Sequence, residues 1–301
     1  MTAPIGFIGL GLMGSAVASR LLTEHPLLVW NRTAAAAAPL AEAGAAVASS
    51  AADVFAACRT VFLMVTDEHA IDDILHDVDL ADTTLVQMST VTPGYSEALA
   101  ARVAAAGGWF VEAPVSGSRQ PALSGNLIGM LAGEDAVLDE VEPLLQPVCA
   151  NVVRCGTPPQ AMQMKLAVNT FLITVVTGLA ESFHFAETHG LDATLLQGIL
   201  DAGPMASFVS RAKSAALVSG EFTPQAAIPD VLKNARLVVD SAREHRTTAT
   251  LMDACAELYA EALALGHDTE DMAAVISAYR ARTADLNEEP SIHLQAERRP
   301  S

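Results

Sequence analysis

Basic residues are scarce in this chain of 301 residues. Lysine and arginine total 17 against 35 aspartates and glutamates, a formal net charge of −18 and a pI near 4.7. That balance argues against nucleic acid and against anionic membrane surfaces as partners, because both need a positive face. An anionic substrate would need a local positive patch within a repulsive field. Aromatic residues are few, at 5%. Cysteine is limited to Cys58, Cys149, Cys155 and Cys255, with no C-x-x-C spacing and no accompanying histidine cluster, so no metal site is expected. Free thiols of this kind suit a reducing, cytoplasmic compartment. The N-terminus enters a strand-like run within a few residues, so no secretory leader is expected. The apolar run Leu166–Ala180 is too short for a membrane span, follows Lys165 and contains Asn169; it reads as a buried core helix.

What is present is a 51% hydrophobic chain, long enough for two ordinary domains. The first half alternates strands and helices. Strand-like runs are Pro4–Gly9, Leu27–Asn31, Thr60–Val65, Thr84–Met88, Trp109–Ala113, Leu127–Ala132 and Asn151–Arg154. Helical runs such as Ala34–Ala43, Glu68–Leu75, Pro93–Ala106 and Asp135–Leu145 separate them. The pattern predicts an α/β Rossmann-type domain with a mostly parallel sheet over residues 1–158. Gly156-Thr157-Pro158-Pro159 breaks it, and residues 159–285 read as helix only: an all-α C-terminal domain for substrate binding and dimerisation. A polar tail over 286–301 is expected to be loose.

The most informative stretch opens the chain: Ile5-Gly6-Phe7-Ile8-Gly9-Leu10-Gly11-Leu12-Met13-Gly14. A buried strand runs into G-x-G-x-x-G and then a helix. In a dinucleotide site Gly9 permits the tight turn, Gly11 lets backbone approach a pyrophosphate, and Gly14 packs helix against strand. Leu10, Leu12 and Met13 complete the turn, and the helix N-terminus faces the anion. About 20 positions on, NAD-binding units place an acidic residue against the ribose hydroxyls. Here Asn31 stands there, followed by Arg32 and Thr33. Asn31 would not repel a 2′-phosphate, Arg32 can pair with it and Thr33 can add a hydroxyl, so NADPH (NADP+) is favoured over NADH.

Ligands of open parallel sheets sit beyond the carboxyl ends of the strands. The loops there, Val65-Thr66-Asp67, Ser89-Thr90-Val91 and Pro114-Val115-Ser116-Gly117-Ser118, are rich in small and hydroxyl residues. Lys165 lies on the most apolar helical run, with Asn169 one turn further along the same face. A lysine there must snorkel, pair or face a polar cavity. A partly desolvated lysine loses basicity and becomes a competent proton donor near neutral pH.

These blocks, with Lys233-Asn234, resemble the β-hydroxyacid dehydrogenases over residues 4 to 283. The carrying segments are Gly6 to Gly14, Glu112-Ala113-Pro114-Val115-Ser116-Gly117-Ser118, Lys165 to Asn169, and Lys233-Asn234. The Ser116-Gly117-Ser118 form, followed by Arg119-Gln120-Pro121-Ala122, is closest to the glyoxylate/succinic semialdehyde reductase branch. The resemblance implies that Lys165 is the general acid, that Asn169 orients Lys165 and substrate, and that Ser116, Gly117 and Ser118 cradle a substrate carboxylate. It implies that Thr90 and Lys233 serve the cofactor side, while Val65 and Thr66 are candidate cofactor contacts from their place in the first of those loops. Two departures stand out. Asn234 replaces the usual aspartate, and the stretch Ala226-Ala227-Ile228-Pro229-Asp230 puts Ala226 where a phenylalanine wall is usual and adds Asp230 as a candidate substrate contact. The expected function is NADPH-dependent reduction of a small aldehyde or keto acid by a homodimer or higher homo-oligomer. The alternatives are an imine reductase and a catalytically silent NADP-binding protein.

Overall fold

The computed structural model describes residues 3–288. Strands and helices alternate through the first half as β1 (Ile5–Ile8), α1 (Leu12–Leu21), β2 (Leu27–Trp30), α2 (Ala38–Glu42), β3 (Ala46–Val47), α3 (Ala51–Ala57), β4 (Thr60–Leu63), α4 (Glu68–Leu75), β5 (Thr84–Gln87), α5 (Pro93–Ala105) and β6 (Trp109–Glu112). Then come β7 (Val115–Ser116), α6 (Arg119–Leu123), β8 (Leu127–Ala132), α7 (Asp135–Val141) and β9 (Cys149–Gly156). Helices α8 (Gln160–Thr188), α9 (Ala193–Ala202), α10 (Phe208–Ser219), α11 (Ile228–Glu244), α12 (Thr250–Ala264) and α13 (Ile276–Glu288) follow. Residues 289–301, most of the segment expected to be a loose tail, lie outside the described residues.

The strands form one sheet in the order β3-β2-β1-β4-β5-β6-β8-β7, with β9 also paired to β8. From β3 to β6 every pairing is parallel; β8 runs antiparallel to β6 and β7 and parallel to β9. Apolar residues fill both faces, as a doubly covered parallel sheet requires. Phe7, Val29, Phe62, Val86 and Val111 pack with Ala16, Val17 and Leu21 of α1. Their alternates Ile8, Val61, Leu63 and Leu85 pack with Val54, Phe55, Ile71, Leu99 and Val103 from α3, α4 and α5.

Side-chain caps set the helix starts. Ser50, Asp67 and Thr92 accept from the N–H groups of Asp53, Ala70 and Tyr95, each satisfying an otherwise orphaned donor. Pro93 takes the first helical position of α5, where its missing N–H does no harm.

The described residues group into two compact units: 3–172 with Lys233–Met252, and Ile173–Leu232 with 253–288. In the second, Lys213 and Asp271 form a buried ion pair. The Lys213 Nζ lies 2.7 and 2.8 Å from the two carboxylate oxygens. Asp271 also accepts from the N–H groups of Gln225, Ala226 and Ala273. α8 has the length and hydropathy of a membrane span, yet Ala161, Met162, Leu166, Ile173, Val176 and Ala180 along it are buried inside the protein.

Candidate active site

The glycine turn is dictated by the protein's own backbone at two of its three positions. Gly9 has φ +98°, and a Cβ there would fall 2.1 Å from the Met64 carbonyl oxygen. A Cβ on Gly14 would fall 2.0 Å from the Gly9 oxygen. A Cβ on Gly11 would meet nothing within 4 Å, so that side of the turn faces open space. No side chain caps α1 at Gly11, and its first turn holds no acidic residue. The unclaimed N–H groups and positive dipole end of a ten-residue helix therefore face the same opening. That is a cradle for a diphosphate, and the residues fit a dinucleotide.

Asn31 follows β2 and is turned inward. Its Oδ1 accepts from Leu10 N–H at 2.8 Å, and its Nδ2 donates to the Thr33 carbonyl at 3.0 Å. An aspartate could make the first bond but not the second. Asn31 thus ties the glycine turn to the segment that carries Arg32 and Thr33, a scaffolding task the sequence did not reveal. Arg32 and Thr33 are exposed, and no carboxylate pairs with Arg32 among the described residues.

The loops beyond β4 and β5 are bound to each other and to α11. Val65 N–H donates to the buried Ser89 hydroxyl at 2.8 Å. Lys233 Nζ donates to the carbonyls of Thr66, at 2.7 Å, and Thr90, at 3.3 Å. Lys233 so fixes the backbone of both loops from one point. Asn234, next along, is part-buried, and its Oδ1 is enclosed without a partner.

Val115 and Ser116, read from sequence as part of a loop, form the short strand β7. They pair antiparallel with β8 at Gly129 and Ile128 because β8 offers an open edge beyond β6. Gly117 follows with φ +130°. Ser118 occupies the N-cap position of α6, but its hydroxyl does not cap that helix and stays available.

Glu112 ends β6, wholly buried. Its Oε2 accepts from the N–H groups of Ala161 and Met162 at 3.0 and 3.2 Å, and Oε1 accepts from the Ser96 hydroxyl. A carboxylate from the sheet thereby caps the first turn of α8 and meets its positive dipole end. Burial pushes the Glu112 carboxyl up, and the bonds from Ser96, Met162 and Ala161 oppose that rise. Glu112→Ala should lower stability by about 2–3 kcal/mol, from a lost cap and two unsatisfied buried donors. A denaturant midpoint unchanged from wild type would contradict this. In the sequence Glu112 stands out only as the start of the Glu112–Ser118 motif. A charged residue closing the apolar run Trp109–Val111 was the available signal.

Lys165 stands one turn beyond that cap. It is 9% exposed, and no carboxylate pairs with it among the described residues. Burial, followed by the charge of nearby Lys233, brings its ammonium down to about 8. Asn169, one turn on, is 2% exposed, with a buried Nδ2 that has no partner. An unsatisfied buried amide beside an unpaired buried lysine is costly for the fold alone. It is the donor set a carbonyl ligand would satisfy. Ala161 and Val168 of the same helix pack on Met130 and Ala132 of β8, the strand that also carries β7 and Ser116.

Lys165, Asn169, Ser116–Ser118, Thr66, Thr90 and Lys233 all belong to the first unit, as do the glycine turn and Arg32. Asp230 belongs to the second. It lies exposed in the first turn of α11, while the Ala226 N–H is held by Asp271. No group of three or more His, Cys, Asp or Glu side chains among the described residues could hold a metal ion.

Two family models match the chain. The NAD binding domain of 6-phosphogluconate dehydrogenase matches residues 4–156, and the NAD-binding model of NADP-dependent 3-hydroxyisobutyrate dehydrogenase matches residues 160–279. Glyoxylate/succinic semialdehyde reductase 1 of Arabidopsis thaliana is 30% identical over 283 residues, covering 92% of this chain and 98% of that protein. The cytokine-like nuclear factor N-PAC of Drosophila melanogaster is also 30% identical, over 90% of this chain, but this chain spans only 46% of its length. Among solved structures, a 3-hydroxyisobutyrate dehydrogenase of Mycobacterium tuberculosis with L-serine is similar with a TM-score of 0.82 at 25% identity. That match covers 93% of this chain and 100% of the other.

Proposed function

Since this chain belongs to the β-hydroxyacid dehydrogenase family, a group of NAD(P)-dependent dehydrogenases and reductases, we propose that it is an NADPH-dependent reductase of small aldehydes or keto acids. The observation that carries this is Lys165: a lysine nearly excluded from water, without a counter-ion, one turn from an amide donor that has nothing to bind. A bound nicotinamide dinucleotide supplies the hydride. The chain supplies the rest. Gly9 to Gly14 and the N-terminus of α1 receive the diphosphate, and Arg32 with Thr33 receive the 2′-phosphate. Lys233 holds the Thr66 and Thr90 loops in place, with Val65 anchored on Ser89. Ser116, Gly117 and Ser118 offer hydroxyl and backbone donors to the substrate carboxylate. Asn169 donates to the carbonyl oxygen, and Lys165 Nζ delivers the proton to it as the alcohol forms.

The test is NADPH oxidation measured against a panel of short aldehydes, keto acids and cyclic imines. Consumption with carbonyl substrates supports the reading. Consumption with imines alone would favour the imine reductase alternative, and none at all the silent NADP-binding one. Arg32→Ala should weaken NADPH binding by roughly 1.5–3 kcal/mol, the worth of a hydrogen bond to a charged group, and leave NADH binding nearly unchanged. Equal losses for both cofactors would remove the assignment to Arg32.

We also place the protein in the cytoplasm as a homodimer or higher homo-oligomer. Supporting this, all four cysteines are free thiols. Helix α9 buries none of its residues, leaving Leu195 and Ile199 66% and 70% exposed. Light scattering at micromolar concentration should return at least twice the 31.4 kDa chain mass. A monomer would count against it.

A further inference from the structure

The chain contains only three lysines, Lys165, Lys213 and Lys233, and the structure separates them sharply by what their ammonium groups do. Lys213 is 7% exposed and locked to both oxygens of Asp271. Lys233 is committed to two backbone carbonyls. The first is engaged by a carboxylate and the second by two backbone oxygens, so neither amine is turned toward a ligand. A protonated lysine has no lone pair and is not a nucleophile. Lys165 alone of the three has neither carboxylate nor carbonyl partner among the described residues. It is also desolvated, and the charge that acts on it, Lys233, is a like charge. A desolvated lysine beside a second cation is the arrangement that yields an amine able to attack carbonyl carbon.

We propose that Lys165 is a carbonyl-reactive amine, a covalent modification site at which small aldehydes condense to an imine when no hydride donor is bound. The lone pair of neutral Nζ attacks the carbonyl carbon, and the C=O π pair moves to oxygen. That oxygen takes a proton as Nζ gives one up, forming a carbinolamine. Loss of the hydroxyl as water then gives the imine. Asn169 Nδ2, one turn away on the same face and without a partner, is placed to donate to the oxygen as its charge develops. No oxidant or reductant is consumed, and hydrolysis reverses the step. The consequence is a reversible block by aldehyde in excess: the amine that would donate a proton to one substrate molecule is occupied by another. That consequence for the protein's own substrate rests on the carbonyl-reductase reading, whereas the reactivity of the amine does not.

The experiment traps the imine without any nicotinamide, so it can fail independently of the reductase activity. The full-length protein is incubated near pH 8 with propionaldehyde and sodium cyanoborohydride. The borohydride delivers hydride to the imine carbon, water protonates the nitrogen, and a stable secondary amine marks the site. Peptide mass mapping then compares the three lysines in native protein and in protein unfolded in urea. In urea all three should label alike. In native protein Lys165 should label at least about tenfold faster than Lys213 and Lys233. At pH 8 a group with pKa about 8 is half neutral, while an ordinary lysine is neutral in well under one part in a hundred. Labelling at Lys165 should rise as pH increases from 7 to 9 and level off above. Labelling of Lys165 no faster than that of Lys213 or Lys233 in the native protein would overturn the proposal. The comparison is made within the wild-type chain and does not depend on any variant folding.

Discussion

Lys165→Met is expected to lower turnover on the best carbonyl substrate by about 10²–10⁴-fold, the usual worth of a positioned general acid. NADPH binding should be retained, because the proposed cofactor contacts lie at Gly9–Gly14 and Arg32. Methionine keeps most of the side-chain volume and the apolar stem while removing the proton. The same substitution should make the protein more stable. Lys165 binds its proton less tightly in the folded chain, at about 8, than the 10.5 of an unperturbed lysine. Between those values the unfolded chain holds more protons than the folded one, so stability rises with pH across the window. Below pH 8 the penalty is present in full, on the order of 3 kcal/mol. Removing the cation removes the penalty. Lower activity with a higher denaturant midpoint at pH 7 is the signature of a residue kept for chemistry at the expense of the fold. A variant that loses both activity and stability would make Lys165 a structural residue instead.

Asp271→Ala is expected to be the most destabilising single change, by about 3–5 kcal/mol. The Asp271 carboxylate is 3% exposed in the ion pair and neutralises the likewise buried Lys213. It also accepts three backbone N–H groups, from Gln225, Ala226 and Ala273. Deleting it leaves a buried cation unpaired and those donors unsatisfied at once. The Asp271 N–H donates in turn to the Phe222 carbonyl, and Met272 N–H to that of Ala226. The segment from Phe222 to Ala226 should therefore lose its anchor, seen as faster amide exchange there than elsewhere in the second unit. Urea unfolding of the variant with a midpoint close to wild type would show that the pair contributes little.

The sheet was legible because its strands are short apolar runs bounded by turn residues, and both-faced burial leaves no other reading for Ile5–Ile8 or Leu85–Gln87. What escaped was β3 and β7, two residues each. Nothing in Ala46-Val47 or Val115-Ser116 distinguishes strand from loop until an edge is available to pair with. The helices α3 and α6 were also missed, at seven and five residues, too short for periodicity to register. In the candidate site, the glycine turn and Lys165 announced themselves. Gly9 and Gly14 occupy positions where a side chain would strike backbone, and a lysine in an apolar helix is conspicuous. The supporting contacts did not, because each joins residues far apart in sequence. Glu112 reaches α8 across 49 and 50 positions, Lys233 reaches Thr66 across 167, and Asn31 reaches Leu10 across 21. A spacing argument sees what lies on one helix face; it has no access to a cap delivered from a strand.

The most direct test of the central claim is the pH dependence of kcat for carbonyl reduction with saturating NADPH, from pH 6 to 10. A lysine that donates its proton must enter the reaction protonated. With Lys165 at about 8, kcat should be level below pH 7 and fall on the alkaline side with an apparent pKa near 8, approaching tenfold per pH unit. Lys165→Met should show a low rate without that limb. A wild-type profile that stays flat to pH 10, or a limb that persists in Lys165→Met, would contradict the account and assign the proton to another group.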